Sequence, residues 1–395
     1  MNATTRMLGR TLCIIAAAVL LAAAPRGIAR AAAPGGPQPA PACDPARPHA
    51  AGTSTETIPT INGTRTYLLH VPASYTGAAA VPLVLNFHGA GSSPVAQEVY
   101  SGFSARADAE NFIVAYPQGV TTANLAFTHF NAWQLGSPEP DDVAFADTLI
   151  DTLESALCID TTHVFSTGIS MGAIMSTRLA CSLSNRIAAI APVSGAYYPP
   201  NITFLNPAES CPGPRPVPLL AFHGTADTTI PFNGGPGLNG VLFRLPIDNT
   251  TPDEDVLSDW AAHDGCAGSR QESPVDTEIR LITYGSCPGG AVVQLYAVDG
   301  GGHTWPGSFD LPSLGYTTHQ IIATDLIWAF FAAHPFAAPP SVGGIAEQPD
   351  AAVLTPSSIT GSQGRADVRR AAEAALAIAG VAVGGWMLRR SRAAR

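Results

Sequence analysis

The run His163-Val164-Phe165-Ser166-Thr167-Gly168-Ile169-Ser170-Met171-Gly172 reads as a short strand that breaks into a glycine-flanked serine. Ala173 to Cys181 continues as a helix-like stretch. A strand, a tight turn and a helix in immediate succession predict a serine held on a strained backbone at the end of a sheet, with glycines on both sides to relieve crowding. The competing reading is an ordinary strand-to-helix turn with a capping serine. Working outward, Thr66–Val71, Pro82–His88, Phe112–Tyr116, Ala188–Ser194, Val217–His223 and Val292–Val298 also read as strands. Several are continuous apolar runs, as expected for strands buried on both faces. Between them Asp142–Leu157 puts Val143, Ala146, Leu149, Ile150, Leu153 and Leu157 on one helical stripe, and Ile321–Ala333 closes the region with Leu326, Ile327, Phe330 and Phe331. This alternation predicts an α/β fold, a mostly parallel central sheet flanked by helices, as a single domain over residues 58–335.

A serine hydroxyl needs a base to take its proton. His303 is the best candidate, because Asp299-Gly300-Gly301-Gly302-His303-Thr304-Trp305-Pro306-Gly307 is a loop following a strand. His88 and His223 are rivals, each in a Phe-His-Gly tripeptide at a strand end, where a structural role is the simpler reading. The acid that orients the imidazole is assigned to Asp227, just past a buried strand, with Asp142 and Asp299 as alternatives. Asp142 opens a helix, where a carboxylate caps backbone N–H groups. The negative oxygen formed on attack needs two backbone N–H donors. Met171, directly after the serine, is one. The other comes from His88-Gly89-Ala90-Gly91, with Ala90 favoured and Gly89 or Gly91 as alternatives. Trp305 and Trp133 are candidate substrate contacts; core packing is an equal reading for Trp133.

Net charge is −10, and over residues 60–335 eight Arg stand against 24 Asp and Glu. That balance leaves no electrostatic footprint for nucleic acid. All 20 basic residues are Arg. Residues 1–33 read as a signal peptide: Arg6 and Arg10, an apolar run Thr11–Ala24, then small residues to Ala33. Residues 34–57 form a Pro/Ala-rich N-terminal segment. Residues 336–370 read as a flexible linker, 371–388 as a membrane-spanning helix, and 389–395 as a basic cytoplasmic tail carrying Arg389, Arg390 and Arg392. An exported, membrane-anchored protein is expected. Six cysteines remain beyond the leader, Cys43, Cys158, Cys181, Cys211, Cys266 and Cys287. An even number in an exported chain suggests disulfides, and the lack of a C-x-x-C pair argues against zinc.

The ordered set of motifs resembles the secreted esterase/polyhydroxybutyrate-depolymerase family. It comprises His88-Gly89-Ala90-Gly91, Tyr116-Pro117-Gln118-Gly119, Trp133, Asp141-Asp142-Val143 and Cys158-Ile159-Asp160. Gly168-x-Ser170-x-Gly172, Leu179-Ala180-Cys181, His223-Gly224-Thr225-Ala226-Asp227 and Gly301-Gly302-His303-Thr304-Trp305-Pro306-Gly307 complete it. The resemblance covers about residues 43–335 and implies an α/β-hydrolase fold; the order Ser170, Asp227, His303 is the order of that fold. Cys158, Cys181, Cys266 and Cys287 resemble the cysteines of its feruloyl esterases. With that fold, Cys158–Cys181 is the expected bridge at the bottom of the sheet, Cys266 and Cys287 flank one excursion, and Cys43–Cys211 is left by elimination among 15 pairings. The resemblance implies a serine ester hydrolase without metal or organic cofactor. Polysaccharide feruloyl esters lead among its substrates; polyhydroxyalkanoates and acetylxylan are alternatives. A serine peptidase of the prolyl-oligopeptidase kind lacks its propeller-sized domain here. A non-catalytic surface binding protein is at odds with an intact Ser, His and Asp set. Oligomeric state is not legible.

Overall fold

The computed structural model describes residues 41–122, 127–132, 139–196, 213, 215–235 and 253–336. The expected leader, membrane helix and basic tail, the linker beyond Phe336, and Trp133 and Cys211 lie outside them. No helix among the described residues is long and apolar enough to cross a membrane.

The apolar runs form the middle of a ten-stranded sheet. Its strands are β1 Gly52–Thr60, β2 Gly63–Val71, β3 Val81–Phe87, β4 Ile113–Pro117 and β5 Ile159–Ile169, then β6 Ala189–Val193, β7 Leu219–Gly224, β8 Gln271–Asp276, β9 Ile279–Tyr284 and β10 Val293–Val298. Their spatial order is β1-β2-β4-β3-β5-β6-β7-β10-β9-β8. From β4 to β10 neighbours run parallel; both ends of the sheet are antiparallel. β3 is buried along almost its whole length, and Leu83 and Leu85 face one core while Val84 faces the other. The helices are α1 Pro94–Ser101, α2 Phe103–Glu110, α3 Asp142–Ala156, α4 Met171–Ser182, α5 Asp253–His263 and α6 Ala323–Ala333. Ser93 caps α1 ahead of Pro94, and Asp141 caps α3 by accepting from Ala144 N–H at 2.9 Å. α4 is buried on nearly every side, and its Ser176 and Thr177 hydroxyls donate to the Gly172 and Ile174 carbonyls of the same helix. On the other face Phe331 of α6 stacks on Phe165 at 4.6 Å and Trp328 stacks on Phe112 at 3.9 Å.

Two expectations about the N-terminal side are corrected. The segment expected outside the domain supplies strand β1 from Gly52, and Cys43 bonds to Cys158. Cys158–Cys181 is therefore not the bridge. The reason is local: Cys43 N–H donates to Ala78, Ala42 bridges Ala79, and Val81 N–H donates to Cys158, so the N-terminal segment lies beside the start of β5. Cys181 is disulfide-bonded too. Cys266–Cys287 is formed as expected.

Candidate active site

Order β4-β3-β5 reverses direction about β3, so the C-terminal ends of β3 and β5 frame the crevice where open α/β sheets place ligands. Ser170 occupies that point. It lies between the last residue of β5 and the first residue of α4, with φ 59° and ψ −123°. A non-glycine residue tolerates this conformation only when its surroundings enforce it. The glycines two residues away on each side are sterically required. A Cβ on Gly168 would lie 2.5 Å from the Phe87 carbonyl oxygen, and one on Gly172 would lie 2.1 Å from the same atom. Ser170 N–H donates to Val193 at 2.9 Å, tying the turn to β6.

His303 and Asp227 come from the other half of the same rim. β7 and β10 are parallel neighbours with Gly224 opposite Val298. A Cβ on Gly224 would lie 2.3 Å from Gly301, so the two loops pass in direct contact. Ala226 N–H donates to Gly301, and His303 N–H donates to Leu314 at 2.7 Å. His303 Nδ1 thus meets Asp227 Oδ2 at 2.6 Å. Asp227 Oδ1 accepts from Thr229 and Ile230 N–H at 2.7 and 2.9 Å. Burial works to raise the Asp227 pKa, but the charge of His303 and the bonds from His223 and His303 prevail and hold it well below the usual carboxylate range. Among the described residues no hydrogen bond joins Ser170 Oγ to His303. Such contacts are often long before substrate arrives. The bond that is made uses Nδ1, which leaves Nε2 as the nitrogen that can exchange a proton with substrate or serine.

Met171 is the first residue of α4, so its N–H has no acceptor within the helix. Across the crevice a Cβ on Gly89 would lie 3.3 Å from Ser170 Cβ, which brings the Gly89-Ala90 backbone against the serine. Gly91 N–H is already donated to Thr128 at 2.7 Å, which removes it as an oxyanion donor. His88 shapes this loop: Nδ1 donates to the Gly89 carbonyl at 2.7 Å, and Nε2 accepts from Gly119 N–H at 3.0 Å. Burial pushes its pKa down to about 4.

The alternative acids are placed elsewhere. Asp142 pairs with Arg65 at 2.7 Å, and Asp299 pairs with Arg280 at 3.1 Å on the surface. Trp305 is buried, donates Nε1–H to Thr324 at 3.0 Å and packs edge-on against Phe103. What the residues alone did not reveal is the company of His223. Its Nε2 lies 3.1 Å from Asp227 Oδ2, and its Nδ1 is ion-paired with Asp253 at the start of α5. Asp253-Glu254-Asp255 reads simply as an acidic first turn, and no periodic signal joins it to a strand thirty positions earlier. Among the described residues no group of three or more His, Cys, Asp and Glu is gathered as a metal centre.

Known proteins bear on this geometry. The phospholipase/carboxylesterase family model matches residues 141–250. NocK of Nocardia uniformis subsp. tsuyamanensis, named as an esterase, is 32% identical over 294 residues, covering 71% of this chain and 83% of that protein. Feruloyl esterase B of Piromyces equi is 31% identical over 241 residues, covering 60% of this chain; the chain spans only 42% of that protein's length. Among solved structures, the acetyl xylan esterase from Aspergillus awamori aligns with a TM-score of 0.48 and 17% identity, covering 71% of this chain and 99% of that one.

Proposed function

Because the chain belongs to the esterase family of the α/β-hydrolase superfamily and is a carboxylic ester hydrolase, we propose that Ser170, His303 and Asp227 are its catalytic triad. The reading rests above all on Ser170 at the head of α4, in a backbone state only a built turn would hold, on the same rim as the His303–Asp227 pair. Ser170 Oγ attacks the ester carbonyl while His303 Nε2 takes its proton. Met171 and Ala90 N–H groups, with Gly89 as the alternative to Ala90, hold the negative oxygen. His303 then protonates the departing alcohol, and water releases the acid from the acyl-enzyme by the same steps. Asp227 keeps Nδ1–H on the far side of the ring, so Nε2 arrives with its lone pair free.

The substrate class is an ester of a plant polysaccharide, with a feruloyl group as the acid. The named likeness of feruloyl esterase B and the bonded Cys266–Cys287 pair support it. Bonded cysteines and the leader-like residues 1–33 support export to an oxidising compartment. The test assays the protein and Ser170→Ala on methyl ferulate, acetylated xylan and hydroxybutyrate oligomers. Loss of roughly 10⁴-fold or more in kcat is expected on methyl ferulate for the serine variant. Full activity in Ser170→Ala overturns the triad. A Ser170-dependent rate confined to acetylxylan or hydroxybutyrate keeps the triad and replaces the substrate.

A further inference from the structure

His223 stands outside the proposed triad, yet it touches the same carboxylate oxygen as His303. Its Nε2 faces Asp227 Oδ2 at 3.1 Å and the Ile230 carbonyl at 2.9 Å. Its Nδ1 faces Asp253 Oδ2. None of these three side chains reaches solvent. The Asp253 contact is a Coulombic pair rather than a well-aligned hydrogen bond. A neutral imidazole has one N–H and one lone pair. With both aspartates ionised, both nitrogens face oxygens that only accept, so either neutral tautomer would aim a lone pair at one of those oxygens.

We propose that His223 is a positioning residue, held as an imidazolium between Asp253 and Asp227, that sets the basicity of His303 through the carboxylate the two histidines share. The inference rests on the triad reading above. The groups facing His223 are Asp227 and the Ile230 carbonyl from the loop after β7, Asp253 from α5, and the edge of the Phe232 ring at 5.8 Å; His303 lies beyond Asp227. Burial acts to lower the His223 pKa, but Asp253 and Asp227 more than reverse it and carry it up to about 10. Two consequences follow for catalysis. Asp227 accepts two imidazole and two backbone N–H groups, so its plane is locked. The cation beside it also offsets part of its charge, which weakens the pull of the carboxylate on the His303 ring. A base must arrive neutral to take the serine proton.

The test uses the full chain and the double variant His223→Gln/Asp253→Asn. It replaces the ion pair by a neutral amide pair and keeps an N–H toward Asp227. With a soluble aryl ester, the acid limb of kcat/KM should move upward by about one pH unit, while the plateau rate stays within about tenfold. Nitrogen-15 spectra of the wild-type imidazoles should show both His223 nitrogens protonated from about pH 6 to about pH 9. An unmoved acid limb in a folded variant, or a singly protonated His223 at neutral pH, overturns the proposal. If the double variant does not fold, the wild-type spectra decide by the same criterion. If the protein and Ser170→Ala are equally inert on esters, the triad reading fails by itself, and the spectra still report the His223 charge.

Discussion

Phe87-His88-Gly89 and Phe222-His223-Gly224 are the same tripeptide in the same place, at the C-terminal ends of the parallel strands β3 and β7. Both imidazoles are buried. Their protonation states are nevertheless opposed. His88 has a carbonyl on one side and an N–H donor on the other, so it is satisfied as a neutral ring. His223 has acceptors on both sides, two of them carboxyl groups, so with those groups ionised it is satisfied only as a cation. Burial presses both toward neutrality; in one case nothing opposes it strongly, in the other two charges do. Motif and depth do not set the charge of a buried histidine. The groups that later parts of the chain bring to it do.

The largest expected effect comes from the carboxylate that only one of the two histidines touches. Asp227→Asn removes the charge, replaces one acceptor oxygen by a donating amide and allows the wrong His303 tautomer, while leaving the His88 side intact. A fall of about 10⁴-fold in kcat is expected. Less than a tenfold loss would mean that Asp227 is a structural partner of His223 and not the orienting acid. The next effect is on stability. Asp253→Ala strips a buried cation of one counter-charge and should cost about 3–5 kcal/mol in urea unfolding. On the other side, Gln118 offers His88 Nε2 only a 3.3 Å contact. Gln118→Ala should cost less than about 1.5 kcal/mol. Equal losses would erase the distinction between an ionic and a neutral support.

The same contrast separates what the residues made legible from what they did not. The central strands were readable because their apolar runs have no other use, and Ser170 because its glycines have a steric reason. Strand β1 was hidden: Gly52–Thr60 alternates Thr, Ser and Glu with mostly exposed positions. β8 was hidden likewise, since Gln271–Asp276 is exposed and carries Pro274, as an edge strand protected from further pairing should. His303 and Asp227 were legible from loops that follow strands. The partners of His88 and His223 were not, because Gly119 and Asp253 reach them through the fold and not through the chain. Cys158 was mispaired for the same reason: its partner Cys43 arrives along an extended segment with no periodicity to announce it.

The last effect, about 1.4 kcal/mol per pH unit at most for each group, has opposite signs on the two sides. His88 titrates near 4 when folded and near about 6.5 when unfolded. Its folded value is depressed, so its contribution is present above about pH 6.5 and is lost as pH falls toward 4, because the unfolded chain takes up the proton first. His223 is raised to about 10. Its contribution is complete below about pH 6.5 and is lost as pH rises toward 10, because the unfolded chain releases the proton first. Urea unfolding of the wild type should therefore weaken in both directions from neutrality. His88→Gln should flatten the acid side and leave the alkaline side unchanged, and His223→Gln/Asp253→Asn should flatten the alkaline side, when each variant is subtracted from the wild type at the same pH. A His88→Gln variant that flattens the alkaline side, or a double variant that leaves the alkaline side unchanged, would show that the two buried rings do not hold opposite charges.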